Sequence, residues 1–226
     1  MTAATVGYAA LWRGNADFRR LFLARMVSLF GDWFTLLAVL ALLREIGASS
    51  ASSFGAVLIL KTLPVVFAAP FAGLLVDRVP RVAVMIGADI VRAGLVAAML
   101  LMAWYPVPMV LYGLVVGQTL SSAFFEPARN ALVPDIVAPS ELTAANAMGA
   151  AMWSTMLAFG SAAGGLLTAL LGWKVAITVD VGTYLLSAAL LWGIREPAQH
   201  VVAQATARPG EALRNLAGGA ASLWRR

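Results

Sequence analysis

The sequence predicts an all-α integral membrane protein of about six transmembrane helices, and three observations carry that prediction. The chain is 61% hydrophobic and 12% charged, with a mean hydropathy of +0.85. A chain of 226 residues cannot bury that much apolar surface in one water-soluble core, so lipid must be the solvent for much of it. Apolar runs recur along its whole length, most of them reaching the ~20 residues a spanning helix needs. The basic residues, which give a formal net charge of +5, fall between and beyond these runs as topology signals. They form no nucleic-acid-binding face.

The predicted spans are 20–43, 54–76, 82–105, 108–125, 143–171 and 173–194. The first follows Arg13, Arg19 and Arg20 but is too long for a signal-peptide core and has no small-residue cleavage site behind it, so it stays as a span. The second contains Pro64 and Pro70, which predict kinks. The fourth is the shortest and has a mild polar edge of Gln118, Ser121 and Ser122. Turn chemistry separates the runs at Gly47 to Ser53, Asp77 to Arg81, Pro106 to Pro108, Pro127 to Pro139 and Gly172. Each break is short, which makes neighbouring spans antiparallel. Residues 1–197 therefore read as one bundle. Residues 198–226 read as a polar linker and an amphipathic helix, with Leu213, Leu216, Ala220, Leu223 and Trp224 on one face, lying along the cytoplasmic surface.

Alternate breaks differ sharply in charge. One side collects Arg13, Arg19, Arg20, Arg78, Arg81, Arg129, Arg195, Arg208, Arg214, Arg225 and Arg226; the other has Arg44 and Lys174. The positive-inside rule makes the first side cytoplasmic and puts both termini there.

Arg25, Lys61 and Arg92 fall within spans, as do Asp32 and Asp89. An ionisable group at mid-membrane costs about 2.5 to 3.5 kcal/mol on insertion scales, so it faces a cavity or a partner. Asp32 lies roughly 18 Å into the first span at ~1.5 Å per residue. Arg25, Ser28, Asp32 and Thr35 share one helical face, which should point inward. Lys61 lies at a matching depth in the antiparallel second span and is expected to approach Asp32. Two roles fit: Asp32 takes up a proton or a cation beside Lys61, or the two form a static pair that fixes packing. Asp89 and Arg92, three residues apart, are expected to form an ion pair on one helix. Asp180, near the outer end of the sixth span, reads as a solvated helix start or a functional acid. Gly113 with Gly117, and Gly160 with Gly164, are small-xxx-small pairs for close helix packing.

Several motifs point to a family. Gly73, Asp77, Arg78, Pro80 and Arg81 form a loop that resembles the one between helices two and three of the major facilitator superfamily. The resemblance implies a cytoplasmic latch in which the Asp77 carboxylate caps a helix terminus and pairs with arginine. Pro80 and Val82 stand where the family has a glycine and a basic residue. Gly160, Ser161, Gly164 and Gly165 are similar to a glycine motif of exporters in this superfamily, with Ser161 in place of its proline and Met156 in place of an earlier glycine. The stretch from Phe124 through Glu126, Pro127, Arg129, Asn130, Pro134 and Asp135, with Glu141, Leu142 and Asn146 after it, resembles the branch containing macrolide and siderophore exporters. It is read as a cytoplasmic loop after the fourth helix.

This resemblance, covering about 16–195, implies two inverted three-helix repeats, with a central cavity lined by the first, second, fourth and fifth helices. It also implies the N-terminal half of a proton-coupled exporter in a bacterial inner membrane, moving small, partly apolar compounds by alternating access. Family members have about twelve spans, so a second six-helix half is an expected partner, either a missing C-terminal half or another copy. An inactive truncated fragment and a membrane scaffold without transport are the competing expectations. An enzyme is not expected: there is no cysteine, and the single histidine, His200, lies in the polar tail away from any serine nucleophile. No metal or cofactor is expected from this composition.

Overall fold

The computed structural model describes residues 7–48 and 50–196, so the expected amphipathic tail at 198–226 lies outside the described residues. Within them the protein is all-helical. A short helix α1 (Tyr8–Gly14), which the hydropathy pattern does not reveal, precedes α2 (Ala16–Glu45), α3 (Ala51–Val76), α4 (Arg81–Met99), α5 (Pro108–Ile136) and α6 (Leu142–Trp192). Five of these, α2 to α6, are long and apolar enough to cross a membrane. α4 continues as a 3-10 turn over Leu100–Ala103.

Local chemistry sets the boundaries. Asn15 caps α2 by accepting from the Phe18 N–H at 2.8 Å, and its amide also donates to the Ile136 carbonyl at 2.5 Å, tying the start of α2 to the end of α5. Ser50 caps α3 by accepting from the Ser53 N–H. Pro108 opens α5 at a position where its missing N–H costs nothing.

α6 spans 51 residues only because its helical hydrogen bonding resumes at once after a break. Gly172 has φ 81° and ψ 165°, a backbone conformation open to glycine and strained for other residues. The chain reverses there. In the first arm, 142–171, Gly160 lies against Trp33 and Gly164 against Phe34 and Leu37. In the second arm, 173–192, the Trp173 indole donates to Glu45, Asp180 meets Thr35, and beyond the helix Arg20 donates to the Gly193 carbonyl at 2.5 Å. The first arm thus runs with α2 and the second runs against it.

Two apolar clusters fill the bundle. One, at the end rich in arginine, joins Leu11, Phe18, Leu21, Met85, Phe125, Leu132 and Leu191. The other, at the far end, joins Phe34, Val39, Leu42, Val96, Leu111, Trp173 and Ile177. Between them the fully buried polar residues Ser28, Asp89, Arg92, Gln118, Asp180 and Ser187 form a middle layer.

The region 127–136 corrects the expected loop. α5 continues through Pro127 and Pro134 to Ile136, so Pro127, Arg129 and Asp135 are helical. Each proline removes a backbone donor, but Phe125, Ala128 and Leu132 recur at helical spacing and are buried in the basic-end cluster. Their burial outweighs the local penalty. Glu126, Arg129 and Asn130 dilute the hydropathy without interrupting this apolar face, because they occupy other sides of the helix.

Candidate functional site

The middle layer is where the in-span charges meet. On α2, Ser28 and Thr35 are fully buried, while the Asp32 side chain keeps 24% of its surface. Asp32 receives a 2.5 Å hydrogen bond from the Tyr184 hydroxyl. Its other oxygen faces two guanidinium groups, Arg25 at 3.9 Å and Arg92 at 4.0 Å. Gln118 of α5 donates to the Tyr184 oxygen at 2.8 Å, leaving the tyrosine proton free to point at Asp32. The carboxylate is thus positioned by α2, α4, α5 and the second arm of α6.

Arg92 is 1% exposed and donates to Asp89, which is itself fully buried. Its guanidinium lies over the ring of Phe125, 4.9 Å away, and over that of Tyr184, 4.6 Å away, whose π faces supply negative potential where water is excluded. Arg25 reaches Glu126 at 2.5 Å as well as Asp32, and Glu126 also accepts from Arg129 at 3.1 Å. The Asp89–Arg92 pair therefore joins a larger network instead of standing alone on one helix. Asp180 accepts from Thr35, has the Thr183 hydroxyl 2.8 Å from its other oxygen and is 0% exposed, which corrects the reading of a solvated helix start.

A cavity of about 240 Å³ opens beside this network. Asp32, Trp33 and Leu36 of α2, Lys61 and Val65 of α3, Gln118 and Ser122 of α5, and Trp153 and Leu157 of the first arm line it. Lys61 and Asp32 share the cavity, but among the described residues the ion-pair partners of Asp32 are Arg25 and Arg92. The expected close approach of Lys61 is not made. The reason is topological: α3 packs mainly against α5, so the cavity separates it from α2.

At the basic end, Arg81 donates to Asp135 and to the Ala131 carbonyl. The first N–H groups of α4, at Arg81 and Val82, donate to Glu196 at 2.9 and 3.3 Å. Pro80 gives α4 no side-chain cap of its own, and a carboxylate at that positive helix end takes its place. In this bundle the capping and pairing that the resemblance assigned to Asp77 are made by Glu196 and Asp135. Asp77 is an exposed C-cap of α3, Arg78 is exposed, and a side chain at Gly73 would meet nothing within 4 Å.

The glycine motif divides in two. A Cβ at Gly160 would lie 2.5 Å from the Trp33 ring and one at Gly164 3.0 Å from the Trp33 carbonyl, whereas one at Gly165 would make an ordinary 3.8 Å contact with Leu37. Gly160 and Gly164 therefore set the approach to α2. The residues sequence reasoning passed over are Tyr184, Glu126 and Glu196 as partners. Asp180, Tyr184 and Ser187 repeat at intervals of four and three, the same polar-stripe signal that marked α2, so Tyr184 was findable.

The chain matches the Major Facilitator Superfamily model over residues 21–225. It is 28% identical over 184 residues to the uncharacterized MFS-type transporter YfiS of Bacillus subtilis, covering 80% of this chain and 43% of that protein. It is 29% identical over 177 residues to macrolide efflux protein A of Streptococcus pyogenes, covering 77% of this chain and 41% of the relative. A macrolide efflux protein A of Enterococcus faecalis is 32% identical over 122 residues, which is 53% of this chain and 38% of that one. The matched segment thus covers less than half the length of each of these relatives. No solved structure matches it significantly.

Proposed function

The chain belongs to the Major Facilitator Superfamily, a family of multi-pass membrane transporters and not of enzymes, and from that premise we propose that it is the N-terminal half of a proton-coupled exporter. The bundle crosses the bacterial inner membrane six times as two inverted three-helix repeats, with the arginine-rich end and both termini in the cytoplasm. Its cargo is small and partly apolar, matched to a cavity that sets Trp33, Trp153 and Leu157 beside Asp32, Lys61 and Ser122.

The observation that carries this reading is Asp32, a partly accessible carboxylate in the middle of a spanning helix, held between two guanidinium groups at the wall of the cavity. A proton arriving there removes the charge that draws Arg25 and Arg92 together. Arg25 is then left to Glu126 and Arg92 to Asp89, so the attraction linking α2 to α4 changes with the load.

A second six-helix bundle is the partner. α3 and the first arm of α6, which contribute Lys61, Val65 and Trp153 to the cavity wall, leave Val66, Phe67 and Phe71 each about two-thirds exposed and Trp153 more than half exposed. A polar half-cavity against lipid would leave Lys61 and Asp32 facing hydrocarbon, and a facing bundle would enclose them. The latch at the basic end, which includes Arg81, Asp135 and Glu196, braces this half while the two halves rock.

The test is pH-driven efflux of a lipophilic dye from proteoliposomes containing the chain with its partner bundle. Asp32→Asn is expected to abolish acceleration by an imposed pH gradient while passive exchange of dye continues. Undiminished pH-driven efflux in Asp32→Asn would overturn the coupling role.

A further inference from the structure

The carboxylates of the middle layer are not equally served by cations. Asp89 has Arg92, Asp32 has Arg25 and Arg92, and Glu126 has Arg25 and Arg129. Asp180 has no cation within 4 Å among the described residues, although it is 0% exposed. Its polar neighbours are hydroxyls: Thr35 of α2 donates to one oxygen, and the Thr183 hydroxyl lies 2.8 Å from the other.

The hydrogens at Thr183 can be counted. Its hydroxyl oxygen is 2.8 Å from the Asp180 main-chain carbonyl and also 2.8 Å from the Asp180 Oδ1. A hydroxyl has one hydrogen, and a carbonyl can only accept. If Thr183 donates to the main-chain carbonyl, the second contact is a full hydrogen bond only when Asp180 itself carries the hydrogen and donates it to Thr183. Every contact then has a proton: Thr35 to Oδ2, Oδ1 to Thr183, and Thr183 to the carbonyl. With an ionised carboxylate, two acceptors compete for one hydrogen in a site sealed from water, and Lys61 and Arg92, the cations that act on it, stay beyond 4 Å.

The site also lies on a helix seam. A Cβ at Gly31 would stand 2.0 Å from the Thr183 hydroxyl and 2.1 Å from Asp180 Oδ1, so the carboxyl rests directly on the backbone of α2, one residue before Asp32. The charged and titratable groups around it are Asp32 on α2, Lys61 on α3, Asp89 and Arg92 on α4, and Tyr184 one turn further along its own arm.

We propose that Asp180 is a second proton-binding site of this bundle: it carries its proton while α2 and the second arm of α6 are packed together, and releases it only when they part. Asp180 does not line the cavity, and Asp32 is a charged neighbour and not part of its hydrogen-bonded site. Its place in a transport cycle rests on the reading of the chain as a proton-coupled carrier, whereas its protonation in the packed bundle does not. Because Gly31 and Asp32 are adjacent, loss of the Asp180 proton would push on α2 at the residue beside the cavity carboxylate.

Infrared spectroscopy of the purified full chain in lipid nanodiscs tests this directly, through the carbonyl stretch of a buried protonated carboxyl near neutral pH. The wild-type chain should show that band, Asp180→Asn should lose it, and Asp32→Asn should keep it. Absence of the band from the wild type, or its survival in Asp180→Asn, would overturn the proposal. Should Asp180→Asn fail to fold, Thr183→Val takes its place: losing the acceptor should move the band to higher frequency, and an unmoved band refutes the assignment. A band that behaves as expected, together with pH-driven efflux that persists in Asp32→Asn, would leave this site standing and remove the coupling role of Asp32.

Discussion

Gly31→Ala measures how closely α2 and the second arm of α6 depend on contact without a side chain. The added Cβ would lie 2.0 Å from the Thr183 hydroxyl and 2.1 Å from Asp180 Oδ1, more than 1 Å inside the ~3.3–3.6 Å of an ordinary carbon–oxygen contact. Either the helices separate or the Thr183 and Asp180 side chains rotate away and lose a hydrogen bond. Overpacking of this kind costs about 1–3 kcal/mol, and a lost hydrogen bond about 0.5–1.5 kcal/mol. Alanine in place of glycine in a helix returns about 1 kcal/mol. With both costs present the net loss is about 0.5–3.5 kcal/mol, and at about 2–4 °C per kcal/mol for a chain of this size the midpoint falls by roughly 1–14 °C. Gly165→Ala is the control, since its Cβ would make an ordinary 3.8 Å contact, and helix propensity alone should leave it unchanged or a few degrees more stable. Thermal unfolding of both variants in one detergent, followed by fluorescence-detected size exclusion, gives the comparison. Equal midpoints, or a Gly31→Ala protein as stable as Gly165→Ala, would show that the α2–α6 seam is not packed as described.

Arg92→Met strands Asp89 and withdraws one cation from Asp32, so it should cost about 3–5 kcal/mol, while Asp89→Leu combined with Arg92→Met should recover much of that loss; denaturation of the two proteins side by side checks the difference. Arg81→Ala removes the contacts to Asp135 and the Ala131 carbonyl and should lower stability by about 1–3 kcal/mol, whereas Asp77→Ala, at an exposed cap, should leave the melting curve of this bundle where it was. A reversed order would return the latch to Asp77. Tyr184→Phe deletes the 2.5 Å hydrogen bond to Asp32 and, on the proposed exporter reading, should shift the pH profile of dye efflux from proteoliposomes containing the chain with its partner bundle, which a pH series would reveal.

Composition and the recurrence of apolar runs were enough to define an all-helical membrane bundle, because both are sums over many residues and tolerate local error; the family was legible only in short motifs such as the one around Asp77 and the stretch from Phe124 to Asn146. Of the motif around Gly73, Asp77, Arg78 and Arg81, expected to form a latch, Arg81 is the member seen to pair across helices, with Asp135, while the polar stripe of Arg25, Ser28, Asp32 and Thr35 marked the inward face of α2. The stripe follows from helical period and cost of burial, which need no knowledge of neighbours. Tertiary structure decided which partners those residues meet. Lys61 and Asp32 have matching depths, but depth is one coordinate, and the packing of α3 on α5 places the cavity between them. Arg25 and Arg92 occupy the position beside Asp32 instead. The helix through Pro127 and Pro134 survives because the buried face of Phe125, Ala128 and Leu132 has something to pack against, a fact absent from any local window. Glu196, distant in sequence from α4, caps that helix only once the second arm of α6 has turned back at Gly172. Hydropathy along a chain determines how many apolar helices exist, and the pairing of charges inside the bundle depends on rotations and contacts that the chain acquires only when those helices pack.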